Sequence, residues 1–339
     1  MEEINLKNKE GKKILLILFI MMICIFIFSF WIGYYKLSPK EVILAFMSKF
    51  MDIDNITKES QIIFWNIRLP RIVAGLLIGM ALSMSGCVYQ AMFKNPLVSP
   101  DILGVSSGAG FGASIAILMG MNSYSIQLYA FLGGIFAVGI SYIISAKSVG
   151  NKVLNLVLTG TMIMAIFNAG ITLIKYIADP NDVLQQITFW LMGSLVKTDI
   201  KSVQIASVPI IIGVVIIYLL RWRLNLLTLE DEEAVSIGID IKKYRLIFII
   251  SATLISASAV CLGGLIGWVG LMIPHIVRRI VGVNSSILIP ATGMVGGMYL
   301  IVVDSLARSL LSLELPLGVI TSILGAPFFI YLVLRGGNR

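Results

Sequence analysis

The feature that most constrains this chain is the recurrence of apolar stretches of about twenty residues, each long enough to cross a hydrocarbon layer roughly 30 Å thick. In lipid the backbone must satisfy its own hydrogen bonds, which leaves helices or a closed barrel. Barrel strands alternate apolar and polar residues, whereas these stretches are apolar all round, so the chain is read as an all-α polytopic membrane protein. Composition agrees. Of 339 residues, 58% are hydrophobic and 13% charged, with a mean hydropathy of +0.95, against about 25% charged in soluble chains. The expected spans are 14–34, 70–92, 102–120, 127–146, 153–177, 204–220, 245–263, 266–281, 288–309 and 316–335, about ten transmembrane helices. The shortest, 266–281, contains Pro274. The basic start (Met1–Lys13) followed by an apolar run resembles a signal peptide. Ile14–Ile32 is long, however, and leads into Gly33-Tyr34-Tyr35-Lys36 with no small-residue cleavage site, so it is read as a retained first helix.

The formal charge of +8 fits basic cytoplasmic loops better than nucleic acid. With the N-terminus inside, Lys12, Lys13, Lys94, Lys147, Lys152, Arg221, Arg223, Lys242, Lys243, Arg245, Arg278, Arg279, Arg335 and Arg339 fall on the cytoplasmic side. An even number of spans then places both termini there, in a single transmembrane domain over 1–339 of a multi-pass cell-membrane protein. Two connections are long: 35–66, an extracytoplasmic loop in which Ser38-Pro39-Lys40-Glu41 marks a short surface helix, and the charged cytoplasmic segment 221–244. Small residues recur at helical spacing in Gly75, Gly79, Ser83 and Gly86, in Gly104, Gly108 and Gly112, and in Gly293 and Gly297. Close helix packing is the first reading of these faces; lining a path is the second.

Several chemistries are missing. No GxxxxGK[ST] loop occurs, His275 is the sole histidine, and no carboxylate lies at the centre of an expected span. Proton- and sodium-coupled carriers use such central groups, so any pumping energy should come from another subunit. Cys24, Cys87 and Cys261 lie in apolar runs and read as packing residues rather than metal or redox sites.

The remaining candidates lie at the two surfaces. Arg68 and Arg71 precede the second span, and Arg308 ends the ninth, all on the outer side where cations should be scarce. Asp304 stands at i, i+4 before Arg308, in the favourable order. Snorkelling explains any one arginine; three together suggest a docking surface for a partner's carboxylates. On the inner side, Glu230, Glu232 and Glu233 are followed by Ala234, Ile237 and Gly238 at helical spacing, as expected of a helix seated in a partner's groove. Met84, Gln90, Thr159, Met162, Asn168 and Trp190 are pathway candidates by depth and polarity.

The stretch RLPRIVAGLLIGMALSMSGCVYQAMFKNPLVSPDILGVSSGAG (68–110) resembles the signature of FecCD-type permeases. LLTLEDEEAVSIGID (226–240), GGLIGWVGLMIPHIVR (263–278) and DSLARSLLSLELPLGVITSILGAPFFIYLVLR (304–335) agree with it in order. The resemblance runs from about residue 60 to the end. It implies a type II ABC importer permease fold that translocates ferric siderophores, haem or cobalamin, paired with a second copy or paralogue. It also implies two cytoplasmic ATPase subunits that bind ATP and Mg, with no cofactor in this chain, and an extracytoplasmic binding protein that delivers the metal chelate. Arg68, Arg71 and Arg308 match arginines that pair with that protein's acidic residues, and the LxxxxEEAxxxG segment matches the coupling helix. Glu230 stands where the family has Gly. His275 matches the family's PH pair, taken as structural. Ferric siderophore is the first expectation for substrate, haem or cobalamin the second, and an ATP-independent carrier the third.

Overall fold

The structure is a computed structural model that describes residues 2–33, 35–51, 56–228, 240–310 and 314–336. Among the described residues it is helical and contains no strand. The principal helices are α1 (Glu2–Phe28), α2 (Pro39–Met47), α3 (Lys58–Ile62), α4 (Leu69–Met92), α5 (Val105–Leu118), α6 (Ser123–Lys147), α7 (Lys152–Ile177), α8 (Val183–Leu191), α9 (Ile200–Leu224), α10 (Ile241–Gly263), α11 (Val269–Val281), α12 (Ser285–Leu310) and α13 (Leu317–Gly336). Each of the expected spans contains a helix, although 14–34 leaves the helix after Phe28 and 266–281 enters it only at Val269. Among the described residues seven helical stretches are long and apolar enough to cross a membrane, and α5 and α11 are shorter. Pro274 lies within α11, whose last turn carries Arg278 and Arg279.

Local signals set the helix starts. Asn151 accepts bonds from the amides of Val153 and Leu154 at 3.0 and 3.1 Å, and Asp199 caps α9 through Ser202 at 2.9 Å, so side-chain oxygens satisfy amides that a helix start leaves unpaired. Ser38 and Glu41 form a capping box at α2, with bonds of 3.2 and 2.7 Å. The bond from the Ser38 amide holds the Glu41 carboxyl below its ordinary range.

α4 is central. Its stretch is 78% buried, as is that of α10, whereas α1 is 6% buried and lies at the periphery against α12. Backbone proximity explains the small residues. A Cβ at Gly79 would collide with the carbonyl oxygen of Gly296, and one at Gly86 with that of Gly270. α4 thus meets α12 and α11 with almost nothing between the chains, the close approach by which membrane helices gain dispersion contact. Cys87 and Cys261 are buried, as packing residues should be, while Cys24 is exposed on α1.

Candidate functional site

At the outer end of the bundle the chain enters α4 through a π-turn, Ile63–Arg68. Arg68 points back across it and donates to the carbonyls of Phe30 and Tyr35. Arg71, one α-turn on, faces α12. Its Nε lies 2.7 Å from Asp304 Oδ1, and its Nη1 lies 2.6 Å from Glu314 Oε2. Asp304 makes a second ionic contact with Arg308 Nε at 3.1 Å. Arg308 Nη2 donates to the hydroxyls of Ser29 at 2.9 Å and Ser305 at 3.1 Å. The cluster ties the ends of α1, α4 and α12 to the residues that precede α13.

The structure brings Arg68, Arg71, Arg308 and Asp304 together at one end of the bundle and buries them. Arg68, Arg71 and Arg308 are 3%, 4% and 6% exposed and Asp304 is 1% exposed, so none stands free at the surface or snorkels to it. Burying charge is costly unless it is paired and hydrogen-bonded, and each guanidinium here has internal acceptors. Sequence reasoning missed Glu314, whose side chain is 33% exposed and which is the outermost acid of the network. Its only signal was position, an acid directly before the last span. Three guanidinium groups meet two carboxylates, which leaves the cluster cationic.

The pathway candidates separate sharply. Met84, Gln90 and Thr159 are buried and cannot line a passage within this subunit. Met84 fills the space left by the missing side chain of Gly293. Gln90 Nε2 donates to the carbonyls of Val98 at 3.3 Å and Leu271 at 3.2 Å, and its Oε1 accepts from Arg278 at 3.0 Å. It is a cytoplasmic-side tie between α4 and α11. The Thr159 hydroxyl lies 2.8 Å from the carbonyl of Asn155 and 3.1 Å from that of Ser141. Trp190 is half-buried in α8. Met162 and Asn168 are exposed on α7. Asn168 belongs to a line at three- and four-residue spacing, Leu158, Thr161, Ala165, Asn168, Thr172 and Tyr176, all exposed. Sequence reasoning missed Thr161 and Thr172, although the helical period alone would have found them.

The expected coupling residues Glu230, Glu232, Glu233, Ala234, Ile237 and Gly238 lie outside the described residues. Their flanks are fixed. Asp240 caps α10 through the Lys243 amide at 3.1 Å. Arg221 donates to the Ser286 carbonyl at 3.0 Å, and Asn225 meets Asn284 at 3.2 Å. The residues that lead into the segment thus lie beside the α11–α12 connection. His275 sits against the rings of Phe328 and Phe329, an aromatic packing role. Among the described residues no cluster of His, Cys, Asp or Glu could hold a metal ion.

Comparison with known proteins matches this architecture. The sequence profile of the FecCD transport family covers residues 19–335. The molybdate import system permease protein MolB of Haemophilus influenzae is 37% identical over 96% of this chain and 97% of that protein. The Fe(3+)-citrate import system permease protein YfmE of Bacillus subtilis is 32% identical over 98% of both. A solved structure of a transporter described as metal-chelate type, in an inward-facing conformation, superposes with a TM-score of 0.85 at 36% identity, covering 96% of this chain and 99% of that one. With its helical bundle, its spans and these matches, the chain belongs to the FecCD transport family, as a multi-pass membrane permease subunit of an ABC importer.

Proposed function

We propose that this subunit imports a metal chelate of the ferric-siderophore type, passed to it by an extracytoplasmic binding protein. The passage lies between two permease copies, and two cytoplasmic ATPase subunits drive it through the segment around 226–240. The observation that carries the reading is the exposed polar line on α7. Asn168 stands well inside an apolar span with Thr161 and Thr172 on the same line. The threonine hydroxyls return to the carbonyls of Leu158 and Asn168 at 2.8 and 2.9 Å, so the Asn168 amide is the group that belongs against protein or water rather than lipid. Neutral amide and hydroxyl groups suit a bulky, oxygen-rich cargo that must be passed on rather than held. The two named relatives divide between an oxyanion and an iron chelate, so the substrate is a matter for direct assay. Haem or cobalamin on the same machinery is the alternative.

The test is uptake by proteoliposomes containing the complete importer, with ferric siderophore, haem, cobalamin and molybdate offered in parallel. ATP-dependent uptake of the siderophore supports the proposal. Preference for another cargo overturns the substrate, and uptake without ATP overturns the importer mechanism in favour of a carrier.

Docking takes a specific form in this geometry. Arg71 already holds Asp304 and Glu314, so a carboxylate of the binding protein would exchange with Glu314, the exposed member of the pair. Glu314→Gln should then tighten docking of the binding protein several-fold, read as a slower dissociation rate. Unchanged or weaker docking would remove these arginines from the interface.

A further inference from the structure

The extracytoplasmic helix α2 is amphipathic in an unusual sense, because its apolar residues face both ways. Val42 and Ala45 are buried against the ends of the spans, in a cluster with Phe30, Leu37, Phe64, Ile72 and Ile301. The opposite face carries Ile43, Phe46, Met47, Phe50 and Met51, a run at i, i+3, i+4, i+7 and i+8 that continues one turn past the helix. These residues are 57%, 52%, 39%, 71% and 61% exposed. Such a stripe on a soluble surface would be an aggregation hazard.

Its surroundings say what covers it. The helix is fixed in place, because Trp65 donates from Nε1 to the Ala45 carbonyl at 2.7 Å and stacks on Phe46 at 6.0 Å. The Lys49 ammonium sits 4.6 Å from the centre of the Trp65 ring, the pairing of an amphipathic aromatic with a cation that marks a membrane–water boundary. Lys36, Lys40 and Lys58 are exposed around the same helix. The Glu41 carboxylate is committed to the Ser38 amide. The level is right as well: α2 packs on the outer ends of α1, α4 and α12, and Arg68 joins that region to Phe30 and Tyr35.

We infer that α2 lies in the plane of the outer leaflet, with Ile43, Phe46 and Phe50 seated among phospholipid acyl chains and the neighbouring lysines at the headgroup phosphates. It is then an interfacial anchor rather than part of a solvated loop. Through Trp65 it connects the lipid surface to the π-turn that carries Arg68. This assignment goes beyond the transport reading and is independent of the cargo.

The test uses spin labels placed singly at Ile43, Phe46 and Phe50, with Lys40 and Glu59 as controls, in a Cys24→Ser background that removes the exposed thiol. The protein is held in phosphatidylethanolamine–phosphatidylglycerol nanodiscs and probed with oxygen, which is lipid-soluble, and a nickel chelate, which is water-soluble. The stripe labels should collide with oxygen several-fold more often than with nickel, and the controls should show the reverse. Nickel access to the stripe equal to that of the controls overturns the proposal. So does protection that arises only when a binding protein is added, which would make the stripe a protein interface. Spin–spin broadening that vanishes on dilution with unlabelled protein would assign it to a second copy. Should a label at Phe46 disturb the Trp65 stack, Phe50 gives the same reading from a ring packed on Phe46.

Discussion

α4 and α7 are both long, apolar and sprinkled with polar residues, yet the bundle treats them oppositely. α4 is enclosed by α9, α10, α11 and α12, and its polar groups are spent on protein. Ser83 donates to the carbonyl of Thr292 at 3.0 Å, Tyr89 meets Thr253 at 3.0 Å, and Gln90 bridges to α11. α7 buries one face and turns the other outward with Thr161, Asn168 and Thr172 on it. A polar side chain at membrane depth therefore has two unrelated uses, holding helices in register or, in the function proposed above, meeting the cargo. The surroundings, not the residue type, decide between them.

The contrast can be broken most severely at Gly86. Overpacking a core typically costs about 1–3 kcal/mol, but here the added atoms would meet the Gly270 backbone, which has nowhere to turn. Gly86→Leu should abolish folded, monodisperse protein on size-exclusion chromatography, whereas Ala165→Leu on the open face of α7 should not. Next comes the outer end of α4. Asp304→Asn keeps the shape but leaves Arg71 and Arg308 buried with one carboxylate fewer. Breaking a buried pair costs about 3–5 kcal/mol, so the thermal midpoint in detergent should fall by several degrees or more. The double change Asp304→Leu with Arg308→Met should recover part of the loss.

Gln90→Leu sharpens the comparison at the cytoplasmic end. It strands Arg278 and two carbonyls, with an expected cost of about 1–3 kcal/mol and no change in the concentration dependence of uptake. Asn168→Leu should show the smallest stability effect, within about 0.5 kcal/mol as for exposed positions generally, yet alter uptake several-fold. If the Gln90 and Asn168 variants behaved alike in both assays, the division between a structural and a pathway helix would fail.

These outcomes also mark what could be read from residues alone. Apolar runs located the helices because length and hydropathy are properties of a segment. The glycine faces at Gly79 and Gly86 announced close packing for the same reason, since a missing side chain needs no knowledge of its partner. Met84, Gln90 and Thr159 looked like pathway residues because depth and polarity say nothing of how a helix is rotated against its neighbours. Arg68, Arg71 and Arg308 were recognised as a group, but their burial was not, because the acid that completes the cluster, Glu314, belongs to a distant connection. The loop 35–66 looked polar on average, and averaging concealed that the apolar residues of α2 share one exposed face.

The π-turn at Ile63–Arg68 has a consequence of a different kind. A π-turn carries a surplus residue relative to a regular helix, and each α-helical residue turns the chain by about 100°. The surplus residue sets the phase between everything before α4 and α4 itself. It lets Arg68 and Arg71, three positions apart, reach separate destinations, one the carbonyls beyond α1 and the other the carboxylates of α12 and Glu314. A deletion of one residue here would restore an unbroken helix and swing α2 and α3 about its axis, carrying the exposed stripe away from its bearing. Apart from Phe64, Trp65 and Arg68, whose side chains are tied to their neighbours, this segment should therefore accept changes of side chain far more readily than changes of length.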